Sequence, residues 1–247
     1  QMQFKDHFSR QSSAYSRYRP AYPAGLIEYV AREAPDTDLV VDCATGNGQA
    51  AASLAEHFTA VVAIDGSFGQ LARAVSRDNL HYVAALAEQL PLPDASAALV
   101  TAAQAAHWFD FERFYRECRR VLVPGGVVAL WTYGRLRVDE SVDAVVDRFY
   151  SDKLGRFWPA ERRHVDQAYR NLPFPLRDRP TPDFSIQARW SVDEMIGYLG
   201  TWSAVQRFEV ITGQDSMAEL REELEALWPA DRQKGVTWPI HLRLGNT

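Results

Sequence analysis

Short apolar runs and amphipathic segments alternate through the first half of this 247-residue chain. The runs that predict buried strands are 39–41, 60–64, 81–84, 97–102 and 127–132. Between them, apolar residues recur at three- and four-residue spacing, which predicts helices over 24–33, 49–58, 68–76 and 111–122. Strands without polar alternation, separated by helices, are typical of a parallel sheet that is covered by helices on both faces.

The pattern changes after residue 133, where two segments alternate apolar and polar residues instead. These segments, 184–190 and 238–244, have the period of strands with one buried face. Because they lie far apart in the chain, we expect them to pair antiparallel at one edge of the sheet. Helices are predicted over 138–154, from 191 onward and over 216–228, and 172–182 is predicted to be a loop. The helix after Ser191 has a capping box, since Glu194 stands at its third position.

Together these elements predict a Rossmann-like α/β fold. Its seven-stranded sheet is expected to be mostly parallel, with an antiparallel edge strand and helices on both faces. The length suits a single domain over 1–247, since one core can hold about 250 residues. We divide it into an N-terminal arm and helix (1–35), a central core (36–135), and lid helices with C-terminal edge strands (136–247). The arm and the C-terminal insertions are expected to form a helical lid.

Composition and charge narrow the class of protein. The net charge of −5 gives no general attraction to nucleic acid or to anionic membranes, so we expect neither as a partner. No apolar run reaches the ~18 residues of a membrane span, and residues 1–10 lack the apolar core of a signal peptide. Cys43 and Cys118 have neither disulfide nor zinc spacing. We therefore expect a cytoplasmic monomer or homodimer without a metal.

A glycine-containing turn follows the first predicted strand and leads directly into a helix. Gly46 and Gly48 lack a Cβ, so the backbone can turn tightly there and approach a ligand closely. The amides at the start of the helix can hold polar ligand atoms. Asp65 ends the next predicted strand, where a carboxylate can accept both hydroxyls of a ribose. The pattern therefore predicts a cofactor that contains a nucleoside, bound by the central core.

Two classes of cofactor fit these glycines. Gly46-x-Gly48-x-x-Ala51 matches the permissive dinucleotide fingerprint, so an NAD(P)-dependent oxidoreductase is one interpretation. Asp42 favours another, because a carboxylate four residues before Gly46 would repel pyrophosphate but attract the ammonium and sulfonium of S-adenosylmethionine. A third interpretation is a non-catalytic cofactor-binding protein, although the intact Asp42, glycines and Asp65 argue against it.

At these residues the chain resembles class I S-adenosylmethionine-dependent methyltransferases, and more narrowly the type 11 group that includes the trans-aconitate methyltransferases. The resemblance rests on Asp42 to Gly48, 61–65, 87–91, the AAQAAHWFD segment at 102–110, 120–126, 15–23 and 200–203. It implies an enzyme that uses S-adenosylmethionine and methylates a small molecule. Ala44 and Thr45 depart from the commoner pattern, which has its first glycine there.

The resemblance also implies which residues contact the cofactor. They are Tyr15, Arg19, Asp42, Ala44, Gly46, Asn47, Gly48, Asp65, Gly66, Ser67, Phe68, Ala87, Glu88 and Gln104. In this arrangement Asp65 takes the ribose hydroxyls, 66–68 and 87–88 border the adenine, and Gln104 closes over the methionine end. Tyr15 and Arg19 would cover that end, where a guanidinium suits the methionine carboxylate.

The substrate is expected at the carboxyl edge of the sheet, beside the cofactor. Candidate contacts are His107, Trp108, Trp131, Tyr133, Trp202 and Trp238, each of which could instead be a core residue. His107 is either a general base, because its ordinary pKa lies near neutrality, or a residue that only shapes the pocket. We predict direct displacement of the methyl group onto an O or N atom of a small molecule, such as a carboxylic acid or a heterocycle.

Overall fold

A computed structural model describes residues 20–246, in which eight strands form one sheet. The strands are β1 (Leu39–Cys43), β2 (Ala60–Asp65), β3 (Leu80–Ala84), β4 (Ala97–Ala103), β5 (Leu122–Tyr133), β6 (Arg177–Arg179), β7 (Phe184–Trp190) and β8 (Lys234–Asn246). Their order across the sheet is β3-β2-β1-β4-β5-β8-β6, and β7 also pairs with β8. Strands β1 to β5 are parallel to one another, whereas β8 is antiparallel to each of its neighbours.

The predicted Rossmann-like fold class is therefore confirmed, and so is the antiparallel pairing of the two alternating segments. The strand number differs from the seven predicted, because the loop predicted over 172–182 contains β6. Strands β6 and β7 pair with successive stretches of β8, at 244–246 and 234–240 respectively. The sheet is consequently seven positions wide although it holds eight strands. Strand β8 lies between β5 on one side and β6 and β7 on the other, so it does not form the edge of the sheet.

Helices cover both faces of the sheet. They are α1 (Ala24–Glu33), α2 (Gln49–Leu54), α3 (Phe68–Leu71), α4 (Phe111–Val121), α5 (Glu140–Arg148), α6 (Arg162–Asp166), α7 (Val192–Gly200), α8 (Ser203–Thr212) and α9 (Met217–Leu227). One hydrophobic core packs against one face of the sheet and includes residues of α1, α2, α5, α7, α8 and α9. A second core packs α4 against the other face. Within the described residues, no helix has the length and apolarity that crossing a membrane requires.

Three helices are shorter than their apolar spacing predicts. The helices predicted over 49–58 and 68–76 end at Leu54 and Leu71, and the helix predicted over 138–154 gives way at Phe149 to a π-helical turn. After Leu71 the chain is held by other elements, because the Val75 amide donates to the Asn47 carbonyl at 3.2 Å. The capping box at Ser191 and Glu194 is present as predicted.

Residues 124–126, between the predicted helix over 111–122 and the predicted strand over 127–132, form a bulge inside β5. Leu122 pairs with Ala97 and Val127 with Leu99, so β5 advances five residues while β4 advances two. Gly125 absorbs the excess in the left-handed region, with φ of 80°. Beyond the bulge, β5 resumes parallel pairing as far as its carboxyl end.

Candidate functional site

The turn after β1 is held in backbone conformations that favour glycine. Ala44, Gly46 and Gly48 have φ of 51°, 60° and 82°. A Cβ on Gly48 would lie 2.0 Å from Tyr82 Oη, whereas a Cβ on Gly46 would meet no atom within 4 Å. Gly48 is therefore needed for packing, while Gly46 borders open space. Ala44 pays a backbone cost of roughly 1–2 kcal/mol for its left-handed conformation.

Asp65 ties this turn to the end of β2. Its Oδ2 accepts a hydrogen bond from the Gly46 amide at 2.8 Å, and its Oδ1 accepts one from the Ser67 amide at 2.7 Å. The carboxylate is largely buried. The two amides therefore orient the Asp65 carboxylate at this edge of the sheet.

Asp42 lies deeper in the same edge and is held by two hydroxyls. Thr45 Oγ1 donates to its Oδ2 at 2.6 Å, and Thr101 Oγ1 donates to its Oδ1 at 2.6 Å. The second bond follows from the sheet register, which pairs Asp42 of β1 with Thr101 of β4. Burial raises the pKa of Asp42 to about 6, although both hydroxyls act in the opposite direction. The structure therefore keeps an acidic group in a site where its charge is costly.

The other residues expected around the cofactor surround the ends of β1, β2 and β3. Asn47 lies between the two glycines, and Gly66 and Ser67 follow β2, where Ser67 caps α3 by accepting from the Gln70 amide. Phe68 begins α3 with 77% of its surface exposed, whereas Ala87 is buried. Glu88 Oε1 accepts from the Asp110 amide at 2.9 Å, which joins the turn after β3 to the start of α4. Tyr15 and Arg19 lie outside the described residues.

Gln104 follows β4 in the left-handed region, with φ of 58°. Its amide donates to the Trp131 carbonyl at 2.8 Å, and its side-chain oxygen accepts a short hydrogen bond from Thr132 Oγ1. A non-glycine residue in this conformation costs of order 1–3 kcal/mol, which surrounding contacts must offset. Gln104 is thereby fixed against the end of β5.

His107 lies in a 3₁₀ turn just beyond Gln104 and is almost fully buried. Its Nδ1 is 2.9 Å from Tyr169 Oη, and its ring centroid is 4.9 Å from that of Trp108. Burial lowers the pKa of His107 to about 3, and the electrostatic effects of Arg162 and His164 act in the same direction. The imidazole is therefore neutral near pH 7, and it is a weaker base than its ordinary pKa implied.

The aromatic side chains predicted to contact the substrate divide into two groups. Trp131 and Tyr133 lie at the carboxyl end of β5, where Trp131 meets the edge of Tyr22 at 5.7 Å. Trp202 and Trp238 lie among the C-terminal helices and β8; Trp238 is fully buried and donates to Tyr198 Oη at 3.2 Å. Trp238 therefore occupies a core position, one of the two roles the sequence left open.

The Trp131 indole N–H is unusual among the described residues. It is buried and has no hydrogen-bond partner there. An unsatisfied buried donor costs roughly 1–3 kcal/mol. The Trp131 backbone lies next to Gln104 at the carboxyl end of β5, while its indole ring packs against Tyr22.

Sequence patterns did not identify Tyr169, Thr101, Thr132 or Arg162. Arg162, at the start of α6, donates to Tyr150 Oη at 3.0 Å and lies 4.9 Å from the Trp158 ring centroid. These side chains come from segments far apart in the chain, and only the fold brings them to one edge. No local spacing connects them.

Comparisons with known proteins show that the chain belongs to a methyltransferase family. A family model described as a methyltransferase domain matches residues 41–130. A protein of Dictyostelium discoideum that is named as a methyltransferase is 32% identical over 225 residues, or 90% of this chain and 86% of that protein. A solved structure from Anaeromyxobacter dehalogenans, described as a type II methyltransferase, is 46% identical with a TM-score of 0.87, covering 92% of this chain and 97% of that one. A malonyl-[acyl-carrier protein] O-methyltransferase of Marinomonas is 35% identical over 53% of this chain and 51% of its own length.

The Asp42 carboxyl gives a first prediction, on stability against pH. Because folding raises its pKa to about 6, the folded protein keeps a proton that the unfolded chain loses near pH 4. The stability that protonated Asp42 contributes is therefore lost as pH rises from about 4 to 6, and this contribution stays absent above pH 6. Asp42→Asn cannot ionise, so in urea unfolding it should match the parent at pH 4 and exceed it by ~1–3 kcal/mol at pH 7.5. Asp78→Asn, at an exposed position, is the control and should match the parent at both pH values. If the stability of Asp42→Asn changed with pH as that of the parent does, the assignment would be contradicted.

The two glycines give a second prediction, on packing. Gly48→Ala should lower the free energy of unfolding by ~2 kcal/mol or more, because the backbone cost adds to the contact with Tyr82. Gly46→Ala should lose only the backbone part, ~1 kcal/mol. In a double-mutant cycle, Gly48→Ala should cost less when Tyr82 is already Phe, because Oη is absent. Equal costs for the two glycines would show that the Tyr82 contact is unimportant.

Proposed function

Because the chain belongs to the class I S-adenosylmethionine-dependent methyltransferases, we propose that it transfers the methyl group of S-adenosylmethionine to an oxygen or nitrogen atom of a small molecule. S-Adenosylmethionine is the cofactor of this family. The observation that supports the proposal is one sheet edge where Gly46 and Asp65 meet and where Gln104 and His107 follow β4. Family membership replaces the oxidoreductase interpretation of the same glycines.

The cofactor is proposed to lie along the ends of β1, β2 and β4. Asp65 would accept the ribose hydroxyls, since the Gly46 and Ser67 amides already orient its carboxylate. The adenine would contact Phe68, Gly66, Ser67, Ala87 and Glu88. The methionine end would extend over Ala44, Gly46, Asn47 and Gly48 towards Gln104, with Tyr15 and Arg19 covering it.

Asp42 is proposed to act on the methionine end through charge. Its carboxylate is buried beneath the glycine turn, where its negative charge favours a ligand carrying an ammonium and a sulfonium. A bound cation would in turn stabilise the ionised form, so cofactor binding should offset part of the cost of keeping this charge buried. Thr45 and Thr101 hold the carboxylate in place for this role.

The transfer itself is proposed to be a direct displacement at the methyl carbon. The acceptor's lone pair forms the new bond while the carbon–sulfur bond breaks, and S-adenosylhomocysteine leaves as a neutral thioether. Because the sulfonium supplies the activation, the protein contributes mainly alignment, which can be worth about 7–11 kcal/mol. An acceptor that is already deprotonated needs no base, and His107, with its pKa lowered to about 3, is poorly suited to be one.

A small anionic substrate fits the surroundings best. The Arg162 charge lies close enough to lower the pKa of His107. The Trp131 N–H, which has no hydrogen-bond partner within residues 20–246, can donate to an acceptor atom. The Marinomonas relative is named for O-methylation of a malonyl group, a carboxylate, although it shares only about half its length with this chain. We therefore propose a carboxylate or ionised heterocycle held near Trp108, Trp131 and Tyr133, with Trp202 behind them.

The ribose contact gives a third prediction. Asp65→Asn keeps the shape of the side chain but loses its charge, and a lost charged hydrogen bond costs roughly 1.5–3 kcal/mol. Titration calorimetry with S-adenosylhomocysteine should therefore show binding weakened by roughly 10–100-fold. Asp78→Asn should bind like the parent, and a melting curve should confirm that Asp65→Asn is folded. Normal affinity in the folded variant would remove Asp65 from the ribose site.

The activity itself gives a fourth prediction. Incubation with methyl-labelled S-adenosylmethionine and a panel of small carboxylic acids and heterocycles should release S-adenosylhomocysteine and label one of these compounds. The panel should include acyl-carrier-protein thioesters as a comparison. Turnover of carrier-bound acids alone would replace the small-molecule proposal. A protein that binds the cofactor but labels nothing, including peptides and nucleic acid, would instead be a non-catalytic binding protein.

A further inference from the structure

The side chain of Tyr169 is fixed beneath the candidate site by an unusual backbone. Ala168 and Tyr169 both lie in the left-handed region, with φ of 56° and 57°, and Tyr169 is fully buried. Its amide donates to the His164 carbonyl at 2.8 Å, and its own carbonyl accepts from Arg243 Nη1 at 3.0 Å. Two successive left-handed residues are costly, so these contacts must hold the ring in one position.

The phenol of Tyr169 has one proton and two lone pairs to distribute. Burial raises its pKa well above the usual range, so the phenol keeps its proton. Within residues 20–246, the hydrogen bond of the phenol oxygen is its contact with His107 Nδ1. Tyr169 is fully buried, so a phenol proton left without an acceptor would cost roughly 1–3 kcal/mol.

The phenol proton then has two possible acceptors. Thr132 Oγ1 gives its own proton to Gln104 Oε1, and it could accept from Tyr169. His107 Nδ1 lies 2.9 Å from Tyr169 Oη, a good hydrogen-bond distance. If Nδ1 carried a proton and donated it to Oη, the phenol proton would be left to Thr132 Oγ1, which makes no hydrogen bond to Tyr169 within residues 20–246. The contact therefore favours an unprotonated Nδ1 that accepts.

We propose that Tyr169 donates its phenol proton to His107 Nδ1, so that His107 carries its proton on Nε2 and donates a hydrogen bond to the methyl acceptor. Tyr169 is then a positioning residue that sets the tautomer of His107. The assignment of the donor to the methyl acceptor rests on the proposed function. The tautomer itself does not, because it follows from contacts within the protein.

This tautomer defines what His107 can recognise. Nε2 has no hydrogen-bond partner within residues 20–246, and as an N–H it can only donate. The atom facing it must offer a lone pair, as a carboxylate oxygen or an ionised ring nitrogen does. Arg162 and His164, both on α6, are the charged or titratable groups that oppose protonation of the ring. A neutral alcohol, which must lose its proton before or during transfer, would find no base in His107.

Nitrogen NMR of the ring tests the tautomer without any substrate. In protein labelled with ¹⁵N-histidine, two-bond proton–nitrogen spectra distinguish an N–H nitrogen from one with a free lone pair. The chain has six histidines, so His107→Gln identifies the His107 signals by their loss. The parent should show a lone pair on Nδ1 and a proton on Nε2, unchanged between pH 5 and 8. A proton on Nδ1, or titration near neutrality, would overturn the proposal.

Two variants test the role of Tyr169. Tyr169→Phe removes the donor, so the His107 signals should move towards the other tautomer or a mixture. Thr132→Val removes the competing acceptor and should leave the parental pattern in place. A parental pattern in folded Tyr169→Phe would show that Tyr169 does not set the tautomer. If Tyr169→Phe does not fold, the parent and Thr132→Val spectra decide the tautomer.

A pair of simple probes tests the donor role. In protein saturated with S-adenosylhomocysteine, acetate should shift the Nε2 signal of His107, whereas methylammonium should not. A shift with methylammonium alone would mean that Nε2 accepts, which would overturn the assignment. Failure of methyl transfer with a correct tautomer would count against the proposed function and not against this inference.

Discussion

The hydrogen bonds of Asp65 are the constraint on which the candidate site depends. Two amides from different turns, those of Gly46 and Ser67, converge on one carboxylate at 2.8 and 2.7 Å. Strands β1 and β2 run parallel and end at the same edge, so their turns are close, but parallel pairing alone does not fix the turns relative to each other. The carboxylate does so, because charge-assisted hydrogen bonds are roughly twice as strong as neutral ones. The cofactor would then find the glycine turn and the ribose acceptor already in register.

The same edge concentrates features that lower stability. Asp42 is an acid whose charge is costly to bury, the Trp131 N–H has no partner among the described residues, and Ala44 and Gln104 hold left-handed backbone conformations. Such features persist only where the surrounding structure fixes them, and they collect at functional sites. Both strained residues directly follow strands, β1 and β4, whose pairing with each other is buried. The buried pairing of β1 with β4 therefore offsets the cost of the left-handed conformations in the turns that follow these strands.

Sequence patterns predicted the elements whose contacts are local or periodic. Strands β1 to β5 and β7, helices α1 and α4, and the glycine turn with Asp65 were all accessible in this way, because strand apolarity, helical spacing and motif spacing are properties of short segments. Helix α8 was missed, and its sequence shows why: Val210 and Ile211 are 84% and 64% exposed, which blurs the amphipathic pattern. Strand β6 is only three residues long and exists because β8 extends far enough to pair with it.

The site residues that were missed depend on pairing between distant segments. Thr101 meets Asp42 only because β4 lies beside β1 in one register, and Tyr169 meets His107 only through two left-handed residues that tertiary contacts hold. His107 itself was identified from its motif, which left open whether it is a general base or a residue that shapes the pocket. Burial, together with the electrostatic effects of Arg162 and His164, lowers its pKa and argues against the base, and these surroundings are not visible in a local pattern.

The end of β5 shows how the register of one strand sets both halves of the site. Neighbouring residues on a strand point to opposite faces, so Thr132 meets Gln104 on one side while Trp131 meets Tyr22 on the other. A shift of one residue would exchange them, removing the hydroxyl from Gln104 and placing an indole there. The bulge at Gly125 and the antiparallel pairing of Trp131 with Leu242 and Thr132 with His241 fix β5 against such a shift. A bulge far from the chemistry therefore determines which face receives the hydrogen-bonding group and which receives the aromatic ring.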